Sequence, residues 1–132
     1  MNPATANREG AKTIVVMDDS ALVLDAVRVV LEAKGFRVRT AATLDELEAR
    51  IGESAPDMFI LDVQMPEMFG EDVAQVLRDV RDFRVPILLY SSVEESALAE
   101  RAREAGVLHI PKQAGTEALV ARVQTILRER MS

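Results

Sequence analysis

The sequence contains no cysteine and only one histidine among its 132 residues. Without thiols the chain has neither a disulfide framework nor a thiolate metal site, and one imidazole cannot build a histidine-rich metal site. Any bound metal must therefore be held by oxygen ligands. Long apolar runs are also absent, since the longest, Val85 to Tyr90, includes a proline and falls far short of the ~20 residues of a membrane helix. We expect no insertion into a membrane.

Basic residues are fewer than acidic ones, which gives the chain a formal net charge of −6. This balance disfavours direct binding to nucleic-acid phosphates, and no basic run or aromatic-interleaved basic patch offsets it. The first twelve residues, MNPATANREGAK, have neither an apolar signal core nor a sustained amphipathic pattern. We expect a flexible tail over residues 1–12 and one domain over residues 13–132, a length that suits a single core.

Short apolar segments alternate with longer segments of helical period, which is typical of a parallel α/β sheet. The pattern predicts five strand–helix pairs. Alternating apolar and basic residues in the second strand indicate a sheet edge, whereas the third and fourth strands are apolar throughout and indicate the centre. The predicted strands are Thr13–Met17, Phe36–Thr40, Met58–Leu61, Pro86–Tyr90 and Leu108–Ile110.

The helix boundaries are predicted from residues that commonly cap helices. Thr43 with Glu46 forms a capping-box pattern, Ser92 with Glu95 suggests a second cap, and Thr116 precedes the last helix. Gly35 and Gly106 are expected to end the first and fourth helices. The predicted helices are about 20–34, 43–51, Gly70 to about 80, 92–105 and 116 to near the end.

Polar side chains follow four of the five predicted strands: Asp18 and Asp19 the first, Asp62 the third, Ser91 the fourth and Lys112 the fifth. In a doubly wound sheet these carboxyl ends meet at one crevice. Three crowded carboxylates repel each other unless a cation lies among them, and hard oxygen ligands favour Mg²⁺. One carboxylate can then attack phosphorus, with a lysine and a hydroxyl stabilising the developing charge.

Over about residues 13–130 the chain resembles the receiver domain of two-component response regulators. The resemblance rests on VVMDDS, FILDVQMPEMFG, PILLYSS and HIPK, in that order along the chain. It implies a doubly wound, flavodoxin-like α/β fold, with a five-stranded parallel sheet of order 2-1-3-4-5 and five flanking helices. It also implies a cytoplasmic signalling protein with Mg²⁺ as its cofactor.

The resemblance assigns the metal site and the phosphoacceptor residue by residue. Asp62 would be the phosphoacceptor and a metal ligand, Asp19 would bind Mg²⁺ directly, and Asp18 would act through a metal-bound water. The backbone carbonyl of Gln64 would complete the protein ligands. Gln64 and Val93 would occupy the two positions that tune hydrolysis of the phosphoryl group.

The resemblance also assigns contacts to the phosphoryl group, and here the chain departs from the family pattern. Ser91 and Lys112 would contact that group. Proline precedes the lysine in Pro111–Lys112, whereas the family usually has Lys-Pro with a cis bond. His109 stands where an aromatic switch residue is common, and Phe69 replaces a usual aspartate, which puts an apolar side chain beside the site.

The resemblance implies partners rather than a metabolic substrate. The phosphoryl group would come from a sensor histidine kinase or a histidine phosphotransfer protein and leave by self-catalysed hydrolysis, so the domain is a switch and not an enzyme. Because only a few residues follow the last predicted helix, we expect a stand-alone domain whose output is another protein. The face of the fourth helix, fifth strand and fifth helix, about 94–131, is the expected contact surface.

Two other functions fit part of the pattern. A pseudo-receiver would bind a partner without phosphorylation, with Asp18 and Asp19 merely capping the first helix and Ser91 satisfying the backbone. A phosphatase of the haloacid dehalogenase type also uses a strand-end aspartate with Mg²⁺, but it carries a DxD motif, and here Ser20 follows Asp19.

Overall fold

Five strands and five helices alternate along residues 10–131, the part of the chain that the computed structural model describes. The strands are β1 Thr13–Met17, β2 Arg37–Ala41, β3 Met58–Leu61, β4 Ile87–Ser91 and β5 Leu108–Pro111. The helices are α1 Ala21–Glu32, α2 Leu44–Glu53, α3 Gly70–Gln75, α4 Glu95–Ala105 and α5 Thr116–Met131. A π-helical turn, Val76–Val80, extends α3, and a 3-10 turn, Lys112–Ala114, joins β5 to α5.

The strands form one parallel sheet of order β2-β1-β3-β4-β5, as predicted. β2 lies at one edge and is partly exposed, whereas β1, β3 and β4 are buried along their whole length. Two observed strands start and end one residue later than predicted: β2 begins at Arg37, and β4 extends to Ser91. The doubly wound α/β class is confirmed.

Alternate strand residues point to opposite faces of the sheet, so the protein has a core on each side. One core contains Ile14, Val16 and Ile60 together with the apolar faces of α1 and α5. The other contains Val15 and Phe59 together with apolar residues of α2, α3 and α4. Each fully buried aliphatic side chain contributes about 1.5–3 kcal/mol to folding, so these two layers hold the sheet in place.

The helix ends confirm some predicted caps and correct others. The Thr43 hydroxyl accepts a hydrogen bond from the Glu46 N–H at 3.1 Å, as the capping-box pattern predicts. The predicted Ser92–Glu95 cap is wrong, because the Glu94 carboxylate accepts from the Ala97 N–H at 3.2 Å and is the N-cap of α4. Thr116 is the first residue of α5 rather than its cap, since the Leu119 N–H donates to the Gly115 carbonyl.

The predicted tail falls mostly on residues 1–9, which lie outside the described residues, as does Ser132. Lys12, at the end of that predicted segment, accepts a hydrogen bond from the Arg37 N–H at 2.9 Å. Within residues 10–131, no helix combines the length and apolar character needed to cross a membrane.

Gly70 brings α3 into close contact with the end of β3. A Cβ at this position would lie 2.1 Å from the Asp62 carbonyl oxygen, which is much closer than any real contact. The Gly70 N–H also donates to the Val63 carbonyl at 3.0 Å. Only glycine allows the helix to start this close to Asp62, so the position of α3 and that of Asp62 are fixed together.

We predict that Gly70→Ala destabilises the protein by about 2–3 kcal/mol, because the new methyl group forces α3 away from β3. Urea unfolding followed by circular dichroism measures this change. Gly52→Ala is the matched control, since Gly52 lies in α2 with open space around it and alanine there raises stability by up to about 1 kcal/mol. Equal midpoints for Gly70→Ala and the wild type would contradict the close packing.

Candidate functional site

The three predicted metal-binding carboxylates meet at the carboxyl ends of the strands. Asp18, Asp19 and Asp62 each place one carboxylate oxygen within 4.8 Å of the others. Asp18 and Asp62 are buried, with 2% and 5% of their surface exposed, whereas Asp19 faces solvent. The predicted clustering is therefore confirmed, and the cluster has one open side.

Backbone hydrogen bonds of the sheet hold two of these aspartates in place. The Asp62 N–H donates to the Met17 carbonyl at 2.9 Å, and the Asp18 N–H donates to the Ala41 carbonyl at 3.1 Å. Both bonds continue the strand pairing one residue past the strand ends. The register of β1 with β2 and β3 thus sets how close the carboxylates lie.

Lys112 reaches this cluster from the turn after β5. Its Nζ lies 2.7 Å from Asp18 Oδ2 and 3.5 Å from Asp62 Oδ2. The same ammonium lies 5.9 Å from the centre of the buried Tyr90 ring, within the range of a cation–π contact. The predicted convergence of Lys112 with the carboxylates is confirmed despite the unusual order of Pro111 and Lys112.

The two buried carboxylates differ in how firmly their oxygens are held. Asp18 Oδ1 accepts from the Ser20 N–H at 2.9 Å, and its Oδ2 pairs with Lys112 at 2.7 Å. Asp62 Oδ1 has only a long contact with the Gln64 N–H, at 3.4 Å, and its Oδ2 is 3.5 Å from Lys112. Asp62 is therefore the more weakly held carboxylate, and its oxygens are better able to accept a new partner.

Burial and charge shift the pKa values in this cluster. Burial raises the pKa of Asp18, the nearby Asp62 charge adds to the rise, and the hydrogen bonds from Lys112 and Ser20 oppose it. Burial alone would lower the pKa of Lys112, but Asp18 and Asp62 together outweigh it and raise that pKa. Lys112 is therefore a cation at neutral pH.

The donor set fits a hard divalent cation. Three carboxylates face one ammonium, so the ionised cluster carries an excess of negative charge that a cation would neutralise. All three candidate ligands offer oxygen, which Mg²⁺ prefers, and the exposed Asp19 gives access from solvent.

Ser91 lies at the end of β4 and is fully buried. Its hydroxyl oxygen accepts a hydrogen bond from the Val93 N–H at 3.2 Å. Ser91 therefore has the structural role that the sequence allowed, as a hydrogen-bond partner of the backbone. Its contact with a phosphoryl group stays a prediction. In the pairing of β5 with β4, Pro111 lies opposite Ser91, and the half-buried His109 lies opposite Leu89.

The peptide bonds of residues 10–131 are all trans, so the cis bond that is usual in the family after this lysine is not present. Here the residue that follows Lys112 is Gln113 rather than proline, and an ordinary peptide bond strongly favours the trans form. Lys112 reaches the cluster from a 3-10 turn instead.

Two features beside the site were not predicted. Tyr90 lies next to Lys112, and burial raises the pKa of its hydroxyl. Arg101 of α4 contacts both Phe69 and Glu71, which lie on either side of Gly70. The sequence does not predict these contacts of Arg101. This residue stands among several other charged residues of α4, and any of them could equally be exposed to solvent.

Comparison with known sequences identifies the family of this chain. Residues 14–124 match the sequence model of the response regulator receiver domain. The phosphate regulon regulator PhoB of Rhizobium meliloti is 35% identical over 119 residues, which cover 89% of this chain and 52% of PhoB. The polar-differentiation response regulator DivK of Brucella ovis is 31% identical over 98 residues, which cover 72% of this chain and 78% of DivK. The chain spans about half the length of PhoB.

Solved structures share the fold. A CheY-like receiver domain protein from Methanospirillum hungatei superposes with a TM-score of 0.81 at 23% identity, covering 92% of this chain and 97% of that one. The chemotaxis protein CheY4 of Vibrio cholerae superposes with a TM-score of 0.78 at 24% identity, covering 88% of this chain and 98% of that one. With the strand order, the strand-end carboxylates and the family match in agreement, the chain belongs to the response regulator receiver domain family of two-component signalling.

Proposed function

We propose that Asp62 accepts a phosphoryl group from a phosphohistidine of a sensor kinase or histidine phosphotransfer protein, in a Mg²⁺-dependent reaction. The observation that carries this proposal is the contrast between the two buried carboxylates. Both lie within reach of Lys112, but only Asp62 has loosely held oxygens. A nucleophile needs such free oxygens, whereas Asp18 is already committed to its neighbours.

Asp19 and Asp62, with the backbone carbonyl of Gln64, would hold the metal directly. Asp18 would contribute through a water, since each of its oxygens already accepts a hydrogen bond or an ion pair. Mg²⁺, when bound, supplies positive charge that offsets repulsion between the carboxylates and the incoming phosphoryl oxygens. The exposed position of Asp19 suits a ligand at the entrance of the site.

In the transfer, a carboxylate oxygen of Asp62 forms a bond to phosphorus while the phosphorus–nitrogen bond of the donor breaks. The donor imidazole leaves with that electron pair, and an acyl phosphate forms on Asp62. Lys112 lies where its ammonium can pair with a phosphoryl oxygen. The Ser91 oxygen accepts from Val93, which leaves its O–H proton available for donation to the same group.

We propose that the output surface is the face of α4, β5 and α5. Two grooves open on it, of about 670 Å³ and 450 Å³, and both are lined by Ile110 and Arg122. Leu108 lines the larger groove with 40% of its surface exposed, and His109 lines the smaller one. β5 also contains Pro111, which pairs with Ser91 and directly precedes Lys112. The face is therefore in direct contact with the site.

We expect acetyl phosphate with Mg²⁺ to add about 80 Da, one phosphoryl group, to the wild type and nothing to Asp62→Asn. Intact-mass spectrometry measures the adduct. Asp82→Asn is the matched control and keeps the adduct, because Asp82 is exposed and has a positive φ that asparagine tolerates. It also precedes β4, at the edge of the sheet opposite the strand ends that form the site. An adduct of equal size and yield on Asp62→Asn would show that another residue is the phosphoacceptor.

The same experiment separates the proposal from a pseudo-receiver. A wild type that forms no adduct and binds no beryllofluoride, a phosphoryl mimic, would support a domain that works without phosphorylation. Repeated turnover of p-nitrophenyl phosphate would instead favour a phosphatase.

We expect Asp19→Asn to weaken Mg²⁺ binding by about tenfold or more, because it removes a charged oxygen ligand from the site. Isothermal titration with MgCl₂ in the absence of any phosphodonor measures the affinity. Asp25→Asn serves as the control, since this exposed aspartate of α1 pairs with Arg28 at 2.8 Å. If both variants lose affinity equally, general surface charge rather than the cluster binds the metal.

Beryllofluoride with Mg²⁺ should shift the amide resonances of Leu108, His109 and Arg122 more than those of Asp45 and Ala49, which are exposed on α2. The reason is the direct pairing of β5 with the strand that ends in Ser91. Proton–nitrogen correlation spectra of the labelled protein give the comparison. Shifts confined to residues 18–20 and 62–65 would argue against this output face.

A further inference from the structure

We propose that Arg101 is a positioning residue that restrains α4 in the unphosphorylated protein and couples it to Asp62. Its contacts with Phe69 and Glu71, together called the Arg101 bridge, join α4 to the loop that follows the phosphoacceptor. The inference rests on the proposed role of Asp62 and concerns how the state of that residue reaches the output face.

The loop side of the bridge is rigidly tied to Asp62. Gly70 packs against the Asp62 carbonyl so closely that no Cβ fits, and its N–H donates to Val63. Phe69 and Glu71 are its immediate neighbours in the chain, and the Phe69 carbonyl accepts the first hydrogen bonds of α3. A displacement of the Asp62 backbone would therefore move both residues.

The α4 side of the bridge is one arginine with two different contacts. The Arg101 guanidinium carbon lies 5.1 Å from the centre of the Phe69 ring, and Arg101 Nε lies 2.5 Å from Glu71 Oε2. Both members of the ion pair are largely shielded, with 27% and 20% of their side chains exposed. An ion pair in such a position is worth more than one in full contact with water.

Glu71 makes this pairing hard to replace. Its second oxygen, Oε1, is buried and has no hydrogen-bond partner among the described residues. If Arg101 moved away, a largely buried carboxylate would lose its main compensation, which is strongly unfavourable. The bridge thus opposes any movement of α4 away from α3.

A second arginine binds the C-terminus of the same helix. Arg78, in the turn that extends α3, donates to the Ala105 and Gly106 carbonyls at 3.0 and 3.1 Å. These carbonyls lie at the C-terminus of α4, which ends at Gly106 with a φ of 69°. Arg101 and Arg78 thus add two polar links between α4 and the α3 segment to the apolar packing that the two helices share. Of these two links, the Arg101 bridge is the one that contacts residues adjacent to Gly70.

Arg101→Gln tests the restraint, and Arg103→Gln is its matched control. Arg103 is also an arginine of α4, but it pairs with Glu100 of the same helix and is well exposed. Hydrogen–deuterium exchange of residues 95–105 is measured without any phosphoryl mimic. We expect exchange to rise about threefold to tenfold in Arg101→Gln and to stay at the wild-type rate in Arg103→Gln.

The coupling is tested by the affinity for beryllofluoride with Mg²⁺. Because the bridge stabilises the unphosphorylated arrangement, thermodynamic linkage requires that its loss tightens binding. We expect a gain in affinity of about threefold to tenfold. The double variant Arg101→Gln with Glu71→Gln removes the buried charge and keeps the test valid if the single variant folds poorly. Both variants are expected to bind more tightly than wild type and Arg103→Gln.

Three outcomes would overturn the inference. Faster α4 exchange with unchanged or weaker beryllofluoride binding would mean that Arg101 only stabilises the helix. Identical behaviour of Arg101→Gln and Arg103→Gln would mean that the bridge restrains nothing. Absence of beryllofluoride binding in the wild type would overturn the role of Asp62 and the coupling with it, while the exchange data would still report on the restraint itself.

Discussion

The repulsion between carboxylates at the end of the sheet is the constraint on which the site depends. Asp18 and Asp62 are almost completely buried beside the exposed Asp19, and each buried carboxylate loses several kcal/mol of hydration. Lys112 and the Ser20 N–H offset part of this cost at Asp18, whose pKa burial still raises. The two apolar cores hold the strands in register, so the carboxylates stay close together although their charges favour separation.

The fold was largely predictable because it depends on patterns that are local in sequence. Apolar runs of four or five residues marked β1, β3 and β4, since strands covered on both faces are almost entirely apolar. One strand boundary was wrong because the hydrogen bonding at the end of α1 extends into the predicted strand. Phe36 was assigned to β2, but its N–H donates to Leu31 at the end of α1, so strand pairing begins at Arg37.

The site was predictable for a different reason: topology brings every strand end in a parallel sheet to the same edge. This rule was sufficient to predict that Lys112 lies close to Asp18 and Asp62. It could not identify Arg101, because that contact depends on how α4 is rotated and placed against α3. In the sequence Arg101 and Arg103 look alike, and only the tertiary packing distinguishes the bridging residue from the solvated one.

The arrangement around Asp62 also explains why a chemical change there would be felt beyond the site. Phosphorylation would replace the single negative charge of the Asp62 carboxylate with the charge of about −1.5 to −2 that a phosphoryl group carries. The cluster would become more negative, and Lys112 would be drawn from Asp18 toward the new group. The surrounding backbone has little freedom to absorb this change, because Asp62 is packed against Gly70 on one side and hydrogen-bonded to β1 on the other. The side chains next to Gly70 therefore offer a route, beside the pairing of β5 with β4, by which the change in charge can become a change in the position of α4.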